Sequence, residues 1–283
     1  MRVKKFSGEL VPFDKSSLMQ SLSKSGASAH EVDMVFNGIE SFLYDKITTK
    51  QLYIIAFNEL KKIRKSYAAR YSLKKALRYL GPEGYNFEVW VARLFEEIGC
   101  KATHGKTLQG KAVTHEIYII AIENGSLMLG ECKFRNDVDA KITVTTPMYF
   151  LSRFNDLKDT EFYFFGQNLK PKKGWLITNA YLTTDAIRFA DYYGINIISW
   201  NYPEQSSIKS RVDRGGLNPI TCLTSLNKTQ KGILLKEKIV LVKDMLSKKD
   251  AVFSLLKLTP VQKNKLLEEA RELARRNVVV FKD

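Results

Sequence analysis

The chain has 283 residues, of which 45% are hydrophobic and 27% are charged, as in a folded globular protein with room for two or three domains. No apolar run is long enough to cross a membrane, and no apolar signal core follows the first residues. The three cysteines are odd in number and far apart, which argues against a disulfide framework or a zinc knuckle and predicts a cytoplasmic protein.

The formal net charge of +15 is the strongest signal in the composition. A charge of this sign and size favours a polyanionic partner, and nucleic acid is the first candidate. A generally basic surface on a soluble protein is the alternative interpretation. No internal repeat or low-complexity tract is visible in the sequence.

The first 82 residues predict a short hairpin, over residues 3–13, followed by four helices. Asp14 is expected to cap the first helix, and Ser28 has capping-box spacing to Glu31 at the start of the second. The predicted helices cover, in order, residues 14–26, 28–42, 52–65 and 68–80, with Thr48 or Thr49 as the cap of the third.

This plan resembles the ATP-cone, a nucleotide-binding regulatory domain of ribonucleotide reductases. The residues that carry the resemblance are Val3-Lys4-Lys5, Gly8, Phe13-Asp14-Lys15 and Ile47-Thr48-Thr49. The resemblance implies that Val3, Lys5 and Lys15 contribute to a site for ATP or dATP as an effector, with the lysines near the phosphates. The arginine that usually follows the first lysine is Phe6 here, so a bidentate phosphate contact is lost.

The central stretch, residues 99–136, contains two apolar strands joined by a hairpin turn at Asn124-Gly125. The strands are predicted over residues 114–121 and 127–134. An amphipathic helix precedes them, which Asn86 is expected to cap. The residues between that helix and the first strand, 100–111, are predicted to form a basic loop.

Two charged residues, Glu131 and Lys133, lie two apart on the second strand and therefore share a face. Glu116 and Tyr118 share a face of the first strand in the same way. If the strands pair, these four side chains converge on one small site. A surface ion pair on an edge strand is the alternative interpretation of Glu131 and Lys133.

The order of these elements, with Phe87-Glu88 on the preceding helix and Gly130–Asn136 on the second strand, resembles the PD-(D/E)xK nuclease superfamily and its Mrr-like restriction endonuclease branch. The resemblance covers roughly residues 85–221. It implies catalytic roles for Glu88, Glu131 and Lys133. It also implies a Mg²⁺ or Mn²⁺ site, with the metal ligands Glu131, the Cys132 carbonyl, Glu88 and Glu116. The family has an aspartate where this sequence has Tyr118.

Further elements follow the second strand. A helix is predicted over residues 146–157, then a strand–helix–strand unit over residues 173–179, 185–193 and 195–200, with Thr184 as the helix cap. Two amphipathic helices are predicted near the end of the chain, over residues 233–246 and 262–275, the second capped by Thr259. DNA contact, dimerisation and completion of the core are all open roles for this C-terminal part.

The predicted fold is therefore α/β, with a restriction-endonuclease-like mixed sheet flanked by helices over residues 83–214. A mainly helical ATP-cone-like domain covers residues 1–82, and a helical appendage covers residues 215–283. The basic residues expected to contact DNA phosphates are Lys101, Lys106, Lys111 and Arg135.

The resemblances imply a divalent-metal-dependent DNA endonuclease with a nucleotide-sensing domain, with DNA as its partner and no membrane association. One alternative is a catalytically impaired DNA-binding relative, which lost its central metal ligand at Tyr118. A second alternative is a nucleotide-sensing regulator without a role on DNA. A homo-oligomer is compatible with each of these readings.

Overall fold

The N-terminal region of the computed structural model, which describes residues 1–5, 7–81 and 84–275, combines a small sheet with helices. In chain order its elements are β1 (Arg2–Lys4), β2 (Leu10–Pro12), α1 (Lys15–Ser23), α2 (Ala29–Glu40), β3 (Ile47–Thr48), α3 (Thr49–Ile63), α4 (Lys65–Tyr71) and α5 (Leu73–Arg78). Strand β1 pairs antiparallel with β2, as the predicted hairpin requires, and parallel with β3. The side chains of Asp14, Ser28 and Thr48 cap α1, α2 and α3, which confirms those predictions. The predicted fourth helix is divided at Ser72 into α4 and α5.

The central region carries a five-stranded mixed sheet. Its elements are α6 (Tyr85–Glu97), β4 (Lys101–Gln109), β5 (Thr114–Glu123), β6 (Ser126–Lys133), β7 (Lys141–Ile142), α7 (Thr145–Leu157), β8 (Phe162–Phe164), β9 (Gln167–Leu169), β10 (Pro171–Thr178), β11 (Tyr181–Leu182), α8 (Thr184–Tyr192), β12 (Ile195–Ile198) and α9 (Ile208–Gly215). The strand order is β12-β10-β6-β5-β4, in which β4, β5 and β6 are antiparallel neighbours and β6, β10 and β12 are parallel. The mixed sheet flanked by helices and the parallel βαβ unit are therefore confirmed.

Helices α6 and α7 cover opposite faces of this sheet. Met128 on β6 packs in the core cluster that contains Phe87 and Trp90 of α6. Its neighbours Leu127 and Leu129 pack in the cluster that contains Leu157 of α7. Because successive strand residues point to opposite faces, the two helices enclose β6 and make its interior a buried environment.

Three local predictions in the central region were wrong. Residues 101–109, predicted as part of a loop, form the edge strand β4, because their main chain pairs antiparallel with β5 although the side chains are polar. Helix α6 begins at Tyr85, with Gly84 at its N-cap in a left-handed conformation (φ 83°), so Asn86 lies inside the helix. The cap of α8 is Thr183, whose side chain accepts from the Ala186 N–H.

The C-terminal region is helical, as predicted. Its elements are a 3₁₀ turn (Ile220–Cys222), α10 (Lys228–Lys236), α11 (Val242–Ser247), α12 (Lys249–Leu256) and α13 (Pro260–Ala274). Thr259 caps α13 through a capping box with Gln262, which confirms that prediction. The single helix predicted over residues 233–246 was wrong: Lys238 takes a positive φ of 56°, and Leu241 forms an antiparallel bridge with Pro219.

Helices α4 and α5 contribute to three cores, of which the N-terminal one contains Ala68 of α4. Leu73 and Leu77 pack in the cluster around α6, while Ala69 and Ala76 pack with C-terminal residues such as Leu234. The division of the chain near residues 82 and 214 stays a prediction. Within the part of the chain that the structure describes, no helix combines the length and apolar character needed to cross a lipid bilayer.

Candidate functional site

The centre of the candidate site is Glu131, near the end of β6. The strand is held closely on both sides: Leu176 of β10 pairs with Glu131, and Ile119 of β5 pairs with Gly130. A Cβ on Gly130 would lie 2.9 Å from the Ile119 Cβ, so this close approach requires glycine. The β5–β6 pairing ends at the Ile119–Gly130 pair. Tyr118 on β5 and Glu131 on β6 are the next residues beyond that end.

Glu131 forms a buried ion pair with Arg153 of α7. The Arg153 Nη1 lies 2.7 Å from the Glu131 Oε2, and the two side chains are 8% and 6% exposed. The second guanidinium nitrogen, Nη2, donates to the main-chain carbonyl of Glu116 on β5. Burial raises the pKa of Glu131, while the charges of Arg153 and Lys133 oppose that rise.

The sequence interpretation missed Arg153, although a signal was present. Phe150 and Leu157, three residues before and four residues after Arg153, form the buried stripe of α7. An arginine on such a stripe has to find a buried acceptor, because an unpaired charge in a protein interior is costly. The sequence alone does not show that the acceptor is Glu131.

The structure brings the other predicted carboxylates near Glu131. Glu88 is half-buried in the first turn of α6, and Glu116 is exposed on β5. Burial raises the pKa of the Glu88 carboxyl to about 7, and the charges of Glu116 and Glu131 add to this rise. The charges of Glu116 and Glu131 are therefore close enough to affect the ionisation of Glu88.

Lys133 and Tyr118 complete the group that the sequence placed together. The charge of Lys133 lowers the pKa of Glu131, and the Thr178 hydroxyl donates to the Lys133 carbonyl at 2.6 Å, which fixes the end of β6. Tyr118 is half-buried against the core around α6. Its pKa is raised by burial and by the charges of Glu131 and Glu116, so it is a neutral phenol at pH 7.

The donor atoms at this site fit a hard divalent cation in chemical type. Carboxylate and carbonyl oxygens are the ligands that Mg²⁺ and Mn²⁺ take. The Cys132 thiol is buried, and burial raises its pKa well above the usual range; because Mg²⁺ and Mn²⁺ prefer oxygen ligands, the Cys132 carbonyl is the ligand expected from this residue. Among residues 1–5, 7–81 and 84–275, no three His, Cys, Asp or Glu side chains are already grouped as a metal site. A bound cation would have to draw these carboxylates together.

The predicted DNA-contacting lysines lie at one edge of the sheet. Lys101 and Lys106 are exposed on β4, the edge strand, and not on a loop. Lys111 follows β4 and forms an exposed ion pair with Asp159. Lys101 and Lys106 form no ion pair with a described carboxylate, so their charges are available to a polyanion.

Arg135 follows β6 and is fixed through its main chain by Asn179, which the sequence interpretation placed at the end of a strand without a role in the site. The Arg135 N–H donates to the Asn179 Oδ1, and the Asn179 Nδ2 donates to the Arg135 carbonyl, both at 2.8 Å. This two-point contact orients the segment directly after Lys133 and leaves the Arg135 side chain partly exposed.

The residues expected to contact a nucleotide have partners within the protein. Val3 is buried on β1. The Lys5 ammonium lies 2.9 Å from the Glu9 carboxylate, and the Lys15 ammonium lies 4.1 Å from the centroid of the Phe36 ring. A phosphate at these lysines has to compete with both contacts. Phe6 lies outside the described residues.

Comparison with known proteins shows similarity to a protein from Archaeoglobus fulgidus. Residues 219–274 match the family described as AF1548-like, C-terminal. An uncharacterized protein of Archaeoglobus fulgidus is 27% identical over 183 residues, which is 65% of this chain and 99% of that protein. A crystal structure described as a protein of unknown function, AF1548, is 27% identical and has a TM-score of 0.54 over 67% of this chain and 97% of that one. This chain therefore shares sequence with both of these proteins, and fold with the second, over about two thirds of its own length.

Proposed function

We propose that this protein hydrolyses DNA phosphodiester bonds with the help of a divalent metal ion at the site around Glu131. The observation that carries the proposal is the half-buried Glu88 carboxyl, whose pKa is raised to about 7 next to Glu116 and Glu131. Arg153 engages Glu131, but Glu88 and Glu116 have no ion pair with a described cation. Such a concentration of carboxylates favours the binding of a further cation.

The resemblance of this region to the PD-(D/E)xK nucleases supports the same assignment. The carboxylates of Glu88, Glu131 and Glu116 and the carbonyl of Cys132 would hold Mg²⁺ or Mn²⁺. When bound, such an ion supplies a positive charge for the phosphate and lowers the pKa of a coordinated water. Lys133 would stabilise the negative charge that develops on the phosphate.

The net charge of +15 supports DNA as the partner in a cytoplasmic setting. Lys101, Lys106, Lys111 and Arg135 would contact DNA phosphates. The resemblance of residues 1–82 to the ATP-cone supports a nucleotide effector, ATP or dATP, at Val3, Lys5 and Lys15. To bind it, Lys5 would have to leave the Glu9 carboxylate and Lys15 would have to leave the Phe36 ring.

Incubation of supercoiled plasmid DNA with Mg²⁺ or Mn²⁺, with and without ATP, tests the proposal. We expect metal-dependent nicking that is lost in Glu131→Gln and in Lys133→Ala. The matched control is Lys173→Ala, which removes a partly exposed lysine of the neighbouring strand β10 that pairs with Glu123. No cleavage with either metal, or cleavage that survives Lys133→Ala, would contradict the proposal.

A second candidate function is DNA binding without cleavage. Two observations favour it: Tyr118 offers no anionic oxygen, and the Arg153 guanidinium already neutralises Glu131. If the protein binds DNA without cleaving it, its affinity for DNA should fall steeply as the salt concentration rises. The wild type should then nick no plasmid with either metal.

A further inference from the structure

A cavity of about 310 Å³ lies between α3, α5 and the C-terminal segment that contains Thr224 and α10. Its volume lies at the lower end of the range in which proteins bind small molecules. The wall combines aromatic rings with two ammonium groups; the residues that matter are Tyr53, Phe57, Lys75, Tyr79, Thr224 and Lys231. None of these residues belongs to the candidate site around Glu131.

The two lysines give the cavity an excess of positive charge. The Lys75 ammonium lies between two rings, 5.6 Å from the Tyr53 centroid and 5.8 Å from the Tyr79 centroid. The Lys231 ammonium donates to the Thr221 carbonyl at 2.8 Å. Neither ammonium forms an ion pair with a carboxylate in the part of the chain that the structure describes.

The environment of Lys231 shows that this charge is only partly compensated. Burial lowers the pKa of Lys231, and the positive charges of Lys61 and Lys75 lower it further, against the opposing effect of Cys222 and Glu269. The Glu269 carboxylate is itself engaged, because it accepts the main-chain N–H groups of the two residues Thr224-Ser225 at 2.6 and 2.8 Å. An anion in the cavity would relieve the repulsion between the lysines.

The aromatic wall offers flat apolar surface beside this charge. Tyr53 stacks on Phe57 with the ring centroids 6.3 Å apart, and Tyr79 is 59% exposed at the edge of the cavity. The Thr224 hydroxyl is shielded from solvent and has no hydrogen-bond partner among the described residues. A buried hydroxyl without a partner is unfavourable, and a ligand atom can satisfy it.

We propose that this cavity binds a nucleotide, with the base against the tyrosine rings and a phosphate between Lys75 and Lys231. The Thr224 hydroxyl is placed to bond a further polar atom of the ligand. This site is distinct from the one implied by Lys5 and Lys15 in the N-terminal region. It also stands independently of any activity at Glu131.

Isothermal titration of the full-length protein with AMP, ATP, adenosine and inorganic phosphate tests the chemical class of the ligand. We expect a nucleotide to bind at least about tenfold more tightly than adenosine or phosphate alone, because the cavity contacts both parts. If neither AMP nor ATP binds, the proposal is wrong. It is also wrong if phosphate binds as tightly as the nucleotides, because the rings then contribute nothing.

Variants test the location. Lys75→Gln and Tyr79→Ala, both at partly or largely exposed positions, should each weaken nucleotide binding about tenfold or more. Tyr192→Ala, which removes an 83% exposed ring on α8, is the control and should leave the affinity unchanged. Nucleotide affinity that falls in Lys5→Ala, but not in Lys75→Gln or Tyr79→Ala, would overturn the proposal.

Discussion

The site around Glu131 and the cavity between α3, α5 and α10 concentrate charges of opposite sign. Around Glu131, burial and the charges of Glu116 and Glu131 raise the pKa of Glu88, and the buried Arg153 guanidinium offsets part of the negative charge. In the cavity, Lys75 and Lys231 lie beside aromatic rings without an ion pair to a described carboxylate. Repulsion of this kind costs folding free energy, and a ligand of opposite charge would offset it in either region.

Helix α5 connects the two regions. On one side it lines the cavity through Lys75, together with Tyr79 directly after the helix. On another side its Lys74 ammonium donates to the Val138 carbonyl at 2.7 Å, and Arg78 donates to the Asn136 carbonyl at 3.2 Å. These carbonyls belong to the loop directly after β6, so a ligand that displaces α5 would move the segment that follows Lys133.

The largest expected effect is the loss of stability when the buried Glu131 carboxylate loses its ion-pair partner. Arg153→Met should lower the free energy of unfolding by about 3–5 kcal/mol, because Glu131 would remain buried without its partner. Denaturant unfolding measures this change, and added Mn²⁺ should restore part of it. Lys173→Met, which breaks the partly exposed pair with Glu123, is the control and should cost less than about 1 kcal/mol. If Arg153→Met and Lys173→Met lower the free energy of unfolding equally, Arg153 does not stabilise the fold by neutralising the buried Glu131.

The next effect concerns Tyr118, where an aspartate would add an anionic oxygen. Tyr118→Asp should raise plasmid cleavage by about two orders of magnitude or more, and Lys133→Ala in that background should remove most of the gain. Tyr118→Asn makes the same change of size without the charge and should raise cleavage little. If the two variants behave alike, Tyr118 does not lie at a metal position.

A smaller effect comes from the ionisation of Glu88. In the folded protein the pKa of Glu88 is about 7, above its usual value. The stability that the protonated carboxyl contributes at low pH is therefore lost as the pH rises through about 7. Glu88→Gln should therefore be more stable than the wild type at about pH 8, by about 1 kcal/mol after discounting for solvent screening, with little difference at about pH 4. Unfolding curves at both pH values test this. If Glu88→Gln and the wild type differ in stability by the same amount at both pH values, the raised pKa of Glu88 is contradicted.

The smallest expected effect is a difference in the salt dependence of DNA binding between variants of Lys106 and Lys111, at the edge of the sheet. Lys106→Ala should reduce the slope of log affinity for DNA against log salt by about 1, because its charge has no described carboxylate partner. Lys111→Ala should reduce it less, because Lys111 already pairs with Asp159. Fluorescence anisotropy over a range of salt concentrations measures both slopes. Identical reductions would mean that DNA displaces Asp159 without cost.

The sequence predicted many of the features that depend on neighbours along the chain, although the caps expected at Asn86 and Thr184 were wrong. The caps at Asp14, Ser28, Thr48 and Thr259 need only residues three positions away, and all were predicted. Strand β4 was missed because its polar side chains carry little strand signal and its pairing with β5 supplies the stability.

The same reasoning explains what was predicted of the candidate site. Glu131 and Lys133 share a face because strand geometry fixes a period of two. The partner of Glu131 was missed because Arg153 approaches it from α7, 22 residues away, across a face of the sheet. The break between α10 and α11 was missed because it depends on the contact of Leu241 with Pro219.

A Mn²⁺ titration followed by electron paramagnetic resonance tests whether the carboxylates around Glu131 bind a divalent cation. We expect one Mn²⁺ ion per chain, with an affinity that rises between about pH 6 and pH 8 as Glu88 loses its proton. In Glu88→Gln the pH dependence should disappear, and in Glu131→Gln binding should be lost. Mn²⁺ binding that is unchanged in both variants, or no binding by the wild type, would contradict the account.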